Sequence, residues 1–136
     1  MPIAMELGRL TAWATLAVLG VYLWTVVMAG LARNKYKVMA PSMDGPPAFQ
    51  NAQRVQANTL EQLPAVLVPL WLCAIYLGDS WAALGGLVWC GGRILYALGY
   101  YRDPARREAG FVIGTLASVA LVIGSIIGLV GAGSLH

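Results

Sequence analysis

Arg54, Asn58 and Glu61 follow one another at intervals of four and then three residues. At about 100° per residue, this sets a cation, an amide and a carboxylate within about 60° of each other on a helix. Arg93, Tyr96 and Tyr100 make a second stripe with the mirrored spacing. Arg107 joins that stripe if the helix runs on unbroken, and Pro104 either interrupts it or opens a new turn just before it. Arginine grips carboxylates through paired donors. A carboxylate receives an ammonium, and a cation or hydroxyl beside a thiol lowers its pKa and holds a thiolate. Two such stripes facing one another would suit a small zwitterion with several carboxylates, including one that carries a thiol. The charges alone leave that ligand open. They also leave open a plainer reading for Arg93, as an ion-pair partner of Glu61 that holds two helices together.

The elements that must position these stripes are apolar. Four segments, residues 10–32, 48–77, 81–101 and 110–130, each supply the ~20 residues that cross ~30 Å of hydrocarbon. The expected fold is therefore all-α, a polytopic membrane four-helix bundle in one domain over residues 1–136. Pro46 and Pro47 suit a loop that feeds a first helical turn, while Pro64 and Pro69 fall inside the second span, where a membrane bundle can keep them as kinks. Asp79 and Ser80 read as a very short turn, which makes the second and third spans antiparallel neighbours. Small residues at spacings of three and four in "GLVWCGGRILYALG" and "GTLASVALVIGSIIGLVGAG" predict close helix contact, within or between subunits. Glu61 lies roughly 10 Å along the axis from Arg54, and Arg93 roughly 13 Å from Arg102. Both stripes thus belong to the same half of the membrane.

Composition agrees. Hydrophobic residues make up 59% of the 136 and charged residues 11%, against roughly 25% charged in a soluble domain. The net charge of +3 comes from residues that flank apolar runs, with no basic block longer than a pair, so nucleic acid is not an expected partner. Arg33, Lys35 and Lys37 mark the first loop, and Arg102, Arg106 and Arg107 the third, whereas the middle loop has neither type. The positive-inside rule places loops 33–47 and 102–109 in the cytoplasm and both termini on the opposite side. The opening "MPIAMELGRL" lacks the basic start of a signal peptide, so the first span reads as retained. Cys73 and Cys90 sit in apolar runs as small hydrophobes. Tyr22, Tyr36 and Tyr76 read as interfacial or packing residues. With one histidine, His136, and no clustered cysteines, no metal site is expected.

Three stretches carry a resemblance. They are "ARNKYKV", "GPPAFQNAQRVQANTLEQLP" and "GRILYALGYYRDPARREAG". Together with the four-span plan, they resemble the MAPEG family, membrane-associated proteins in eicosanoid and glutathione metabolism. The likeness covers nearly the whole chain and is greatest to the leukotriene C4 synthase and microsomal glutathione transferase branches. It implies a left-handed bundle assembled as a homotrimer, with glutathione bound between subunits toward the cytoplasm. Arg54, Asn58 and Glu61 would then contact glutathione, assisted by Gln56. Tyr96, Tyr100 and Arg107 would approach it from a neighbouring subunit, and Arg93 would have a ligand or structural role. Arg33 would lie near a carboxylate or the thiol, and Arg107 beside the sulfur, where it would hold the thiolate for attack on a hydrophobic electrophile entering from the lipid.

Three positions depart from the family pattern. A basic residue is common where this chain has Asn51, the leukotriene branch has another where Asn34 stands, and an aromatic there follows the glutamate where Gln62 stands. Loss of a proton donor at 34 argues against leukotriene C4 synthesis. The features of the prostaglandin E synthase branch are missing too. The expected activity is a bacterial-style inner-membrane glutathione transferase. A glutathione-dependent lipid peroxidase and a non-enzymatic lipid-binding scaffold are the alternatives.

Overall fold

A computed structural model of the chain describes residues 8–133. Glu6 and His136 lie outside them. Four long helices follow in order: α1 Arg9–Tyr36, α2 Pro47–Tyr76, α3 Asp79–Arg102 and α4 Glu108–Gly133, with a 3-10 turn Pro104–Arg107 between the last two. All four are long and apolar enough to cross a membrane.

The ends of the helices follow from local chemistry. α1 runs past residue 32, so Arg33 and Lys35 belong to its last turn, where cations suit the negative end of the helix. Lys37 then adopts a left-handed conformation, and its N–H closes back on the Arg33 carbonyl. Pro47 opens α2, where a missing N–H costs nothing, and the helix continues through Pro64 and Pro69. α3 stops at Arg102 because Asp103 turns extended ahead of Pro104. The Asp103 carboxylate accepts from the Ala105 N–H at 3.1 Å and starts the 3-10 turn. Pro104 thus opens a turn rather than extending α3.

One expectation needs correction. Asp79 and Ser80 are not the turn between the second and third spans, since they begin α3, and Leu77 and Gly78 make the connection. The freed Asp79 carboxylate reaches α1. It accepts from the backbone N–H of Leu10 at 2.9 Å and of Thr11 at 2.8 Å, and from the Thr11 hydroxyl at 2.6 Å. The first N–H groups of a helix lack partners of their own, so Asp79 caps α1 from another element.

α2 and α3 pack across the centre, and α1 and α4 each pack against both. The principal core joins Val18 and Val21 of α1, Val66, Leu70 and Cys73 of α2, Trp89 and Cys90 of α3, and Ala117 and Leu121 of α4. Glycine sets the closest approach. A Cβ on Gly110 of α4 would collide with the Tyr96 backbone of α3, and one on Gly92 would come within 2.7 Å of the Gly114 backbone. Large apolar side chains such as Leu16, Ile75, Leu87 and Leu116 point outward, as suits a surface meeting lipid or another protein.

Candidate functional site

The two polar stripes meet at the end of the bundle that bears the basic loops. They form an open cleft of about 540 Å³, lined by Arg54, Ala57, Asn58 and Glu61 of α2, Tyr96 and Tyr100 of α3, Arg107 of the 3-10 turn and Phe111 of α4. That volume lies in the range of small-molecule sites. Arg54, Glu61 and Arg107 are exposed to the cleft, whereas Tyr96 and Tyr100 are buried in its wall. The neighbour expected to supply Tyr96, Tyr100 and Arg107 is not needed for this meeting. A single chain already places them opposite Arg54, Asn58 and Glu61.

The 3-10 turn delivers Arg107. The turn folds back over the end of α3, with Gly99 lying so close to the Arg106 carbonyl that an added Cβ would sit 2.5 Å from it. The Arg107 guanidinium then donates to the Tyr100 hydroxyl at 3.4 Å and lies 5.3 Å from that ring's centroid. Tyr100 meets Tyr96 edge to face at 5.6 Å, and Phe111 tilts against Tyr96 at 6.4 Å. An aromatic wall therefore carries the cation at one end.

Arg93 lies behind this wall. It is 2% exposed and does not line the cleft. Its Nη2 donates to Asn58 Oδ1 at 3.0 Å and to Thr59 Oγ1 at 2.8 Å, so the ion pair with Glu61 considered from sequence does not form. Glu61 makes no hydrogen bond within the described residues and is available to a ligand.

Two expected residues lie elsewhere in the single chain. Gln56 is about 200° around α2 from Arg54, and its Nε2 donates to the Tyr22 hydroxyl at 3.3 Å on the α1 side. Arg33 clamps the first loop, donating to the Ser42 carbonyl at 2.8 Å and packing 5.3 Å from the Phe49 ring centroid. Three residues were not anticipated. Phe111 follows Arg107 by one helical turn, Ala57 fills the gap between Arg54 and Asn58, and Thr59 is a buried anchor beside Asn58. A threonine next to the stripe, able to bond its own helix backbone, was the available signal for the last.

The MAPEG family model matches residues 10–127. The chain belongs to the MAPEG family. Among similar proteins, an uncharacterised protein of Synechocystis sp. is 47% identical over 120 residues, covering 88% of this chain and 85% of its own. Human microsomal glutathione S-transferase 2 is 37% identical over 98 residues, covering 71% and 67%. Leukotriene C4 synthase of Cavia porcellus is also 37% identical over 98 residues, covering 71% of this chain and 65% of its own length, slightly under two thirds. The matched family region contains every residue of the cleft.

Proposed function

We propose that this MAPEG protein is a membrane glutathione S-transferase that joins the glutathione thiolate to hydrophobic electrophiles. One observation carries the proposal: Arg54, Asn58, Glu61, Tyr96, Tyr100 and Arg107 share one open cleft. Arg54 suits a glutathione carboxylate and Glu61 the ammonium. Arg107, at the end of the aromatic wall, is the residue for the sulfur. Arginine keeps its charge and cannot accept the thiol proton, so the proton leaves to water and the guanidinium holds the thiolate. The sulfur lone pair then forms the new C–S bond while the electrophile's leaving group departs with its bonding electrons. Fixed placement and a waiting positive charge are the two sources of rate.

An apolar groove of about 600 Å³ supports a hydrophobic co-substrate. It starts at Gln62, next to Glu61, and at Thr115, one turn beyond Phe111, and runs between Pro64, Val68, Val119 and Val122. In this proposal, the chain works as a homotrimer with loops 33–47 and 102–109 in the cytoplasm. Neighbouring copies then bring Arg33 and Gln56 to the cleft.

The test is glutathione binding to detergent-purified protein by calorimetry, followed by ultraviolet thiolate absorbance and conjugation of an aryl halide. Arg107→Gln is expected to lower thiolate absorbance and kcat by about 10²-fold or more with a smaller effect on Kd. Unchanged absorbance and turnover in that variant would remove Arg107 from the mechanism. Absence of glutathione binding to the unaltered protein would remove the transferase reading altogether.

A further inference from the structure

We infer that Arg93 is the positioning residue of the cleft: through Asn58 it fixes a hydrogen-bond donor toward the ligand, so that this subsite takes an acceptor group, a carboxylate or peptide carbonyl. The inference deepens the glutathione reading and rests on it for the identity of the ligand.

The orientation follows from donor bookkeeping. A guanidinium has only donors. The Asn58 atom that faces Arg93 Nη2 at 3.0 Å must therefore be the carbonyl oxygen. The other end of the amide, Nδ2 with two hydrogens, is left for the cleft that Asn58 lines. The second bond of Nη2 is settled in the same way. Thr59 Oγ1 donates its single hydrogen to the Val55 carbonyl at 2.7 Å, so it can only accept from Arg93, at 2.8 Å. The result is a directed chain in which Arg93 donates to both Asn58 and Thr59, and Thr59 donates to the α2 backbone.

The cation is enclosed on several sides. Arg93 is 2% exposed and Thr59 1%. The guanidinium lies 3.9 Å from the Tyr96 ring centroid and 6.0 Å from that of Trp89. Burying an arginine this deeply is costly unless its donors are used, yet among the described residues its Nε has no hydrogen-bond partner. A residue selected only to join α2 to α3 would be better replaced by apolar packing. What Arg93 adds is direction: it sets the Asn58 amide from below and backs the Tyr96 ring, two groups of the cleft wall on different helices.

Two variants that retain a charged or polar partner test this, with Asn58→Ala as the background for a double-mutant cycle. In Arg93→Lys the ammonium keeps the buried charge but loses the planar fork. In Asn58→Asp the partner of Arg93 is strengthened, while the donor toward the ligand is replaced by a negative oxygen. Arg93→Lys is expected to raise KM and Kd for glutathione about tenfold with kcat within about threefold, and to add less than about twofold once Asn58→Ala is already present. Asn58→Asp is expected to keep the protein's melting temperature and lose glutathione affinity by more than tenfold. Additive effects of the two sites, or wild-type affinity in Asn58→Asp, would overturn the proposal.

A ligand-free readout separates it from the transferase reading. The chain has three asparagines, Asn34, Asn51 and Asn58, so the side-chain amides of ¹⁵N-asparagine-labelled protein can be assigned by substitution. The Asn58 pair is expected to be sharp and to shift and broaden in Arg93→Lys. An Asn58 signal unmoved by that change would overturn the positioning role, whether or not glutathione binds.

Discussion

Among the individual residues, the cleft divides into groups that face outward and groups that support them. Arg54, Glu61 and Arg107 are exposed, whereas Arg93, Thr59, Tyr96 and Tyr100 are buried behind them. Substitution should follow that division. Glu61→Gln is expected to weaken glutathione binding about tenfold or more while leaving the melting temperature within a degree or two, because among the described residues the carboxylate has no hydrogen-bond partner to lose. Calorimetry and thermal unfolding of the same preparation check both halves. Tyr100→Phe removes the hydroxyl that accepts from Arg107 at 3.4 Å but keeps the aromatic wall, and conjugation rates should fall by less than tenfold. The stripe of Arg54, Asn58 and Glu61 was legible in the sequence because helical spacing fixes angular position. The partner of Arg93 was not legible. Periodicity gives the face a side chain occupies but not which neighbour on another helix it will choose, and Thr59 lay one residue outside the stripe.

For the helices, small residues and caps determine where the functional groups sit. Gly110 lets α4 approach the α3 backbone at Tyr96, in the wall of the cleft. Gly110→Ala must move α4 or α3, and is expected to cost about 1–3 kcal/mol together with most of the glutathione affinity. Gly91, whose Cβ would meet nothing within 4 Å, is the control: Gly91→Ala should be neutral or stabilise by about 0.5–1 kcal/mol. Denaturation in detergent compares the two. The four spans could be read from hydropathy alone, since each needs only length and a window with few charges. The turn falls at residues 77–78, just ahead of the Asp79 and Ser80 that the sequence suggests. Asp79 looked like turn chemistry, and its use as a cap for another helix depends on a contact far away in sequence. Continuation of the second stripe to Arg107 was ambiguous at Pro104 for a similar reason, because proline both ends helices and begins them.

At the level of the whole molecule, the open cleft marks one end of the bundle and Asp79 the other. Arg33 and Gln56 lie outside the single-chain cleft, so the homotrimer reading makes a distinct prediction. An Arg33→Gln chain and an Arg107→Gln chain, each poorly active alone, should recover part of the conjugation rate when co-expressed and co-purified, because some mixed assemblies pair an intact Arg33 with an intact Arg107. Activity no greater than the average of the two parents would place Arg33 in loop stability alone. The Asp79 cap also has a consequence for biogenesis. The N–H groups of Leu10 and Thr11 find their acceptor 69 and 68 residues further along the chain. Until the start of α3 has emerged, these two N–H groups lack the Asp79 carboxylate that accepts from them in the folded chain. This cap on α1 can therefore form only after the third span has begun to emerge. In truncated nascent chains that stop before residue 79, position 11, fully buried in the folded chain, should be open to labelling that the full-length protein excludes.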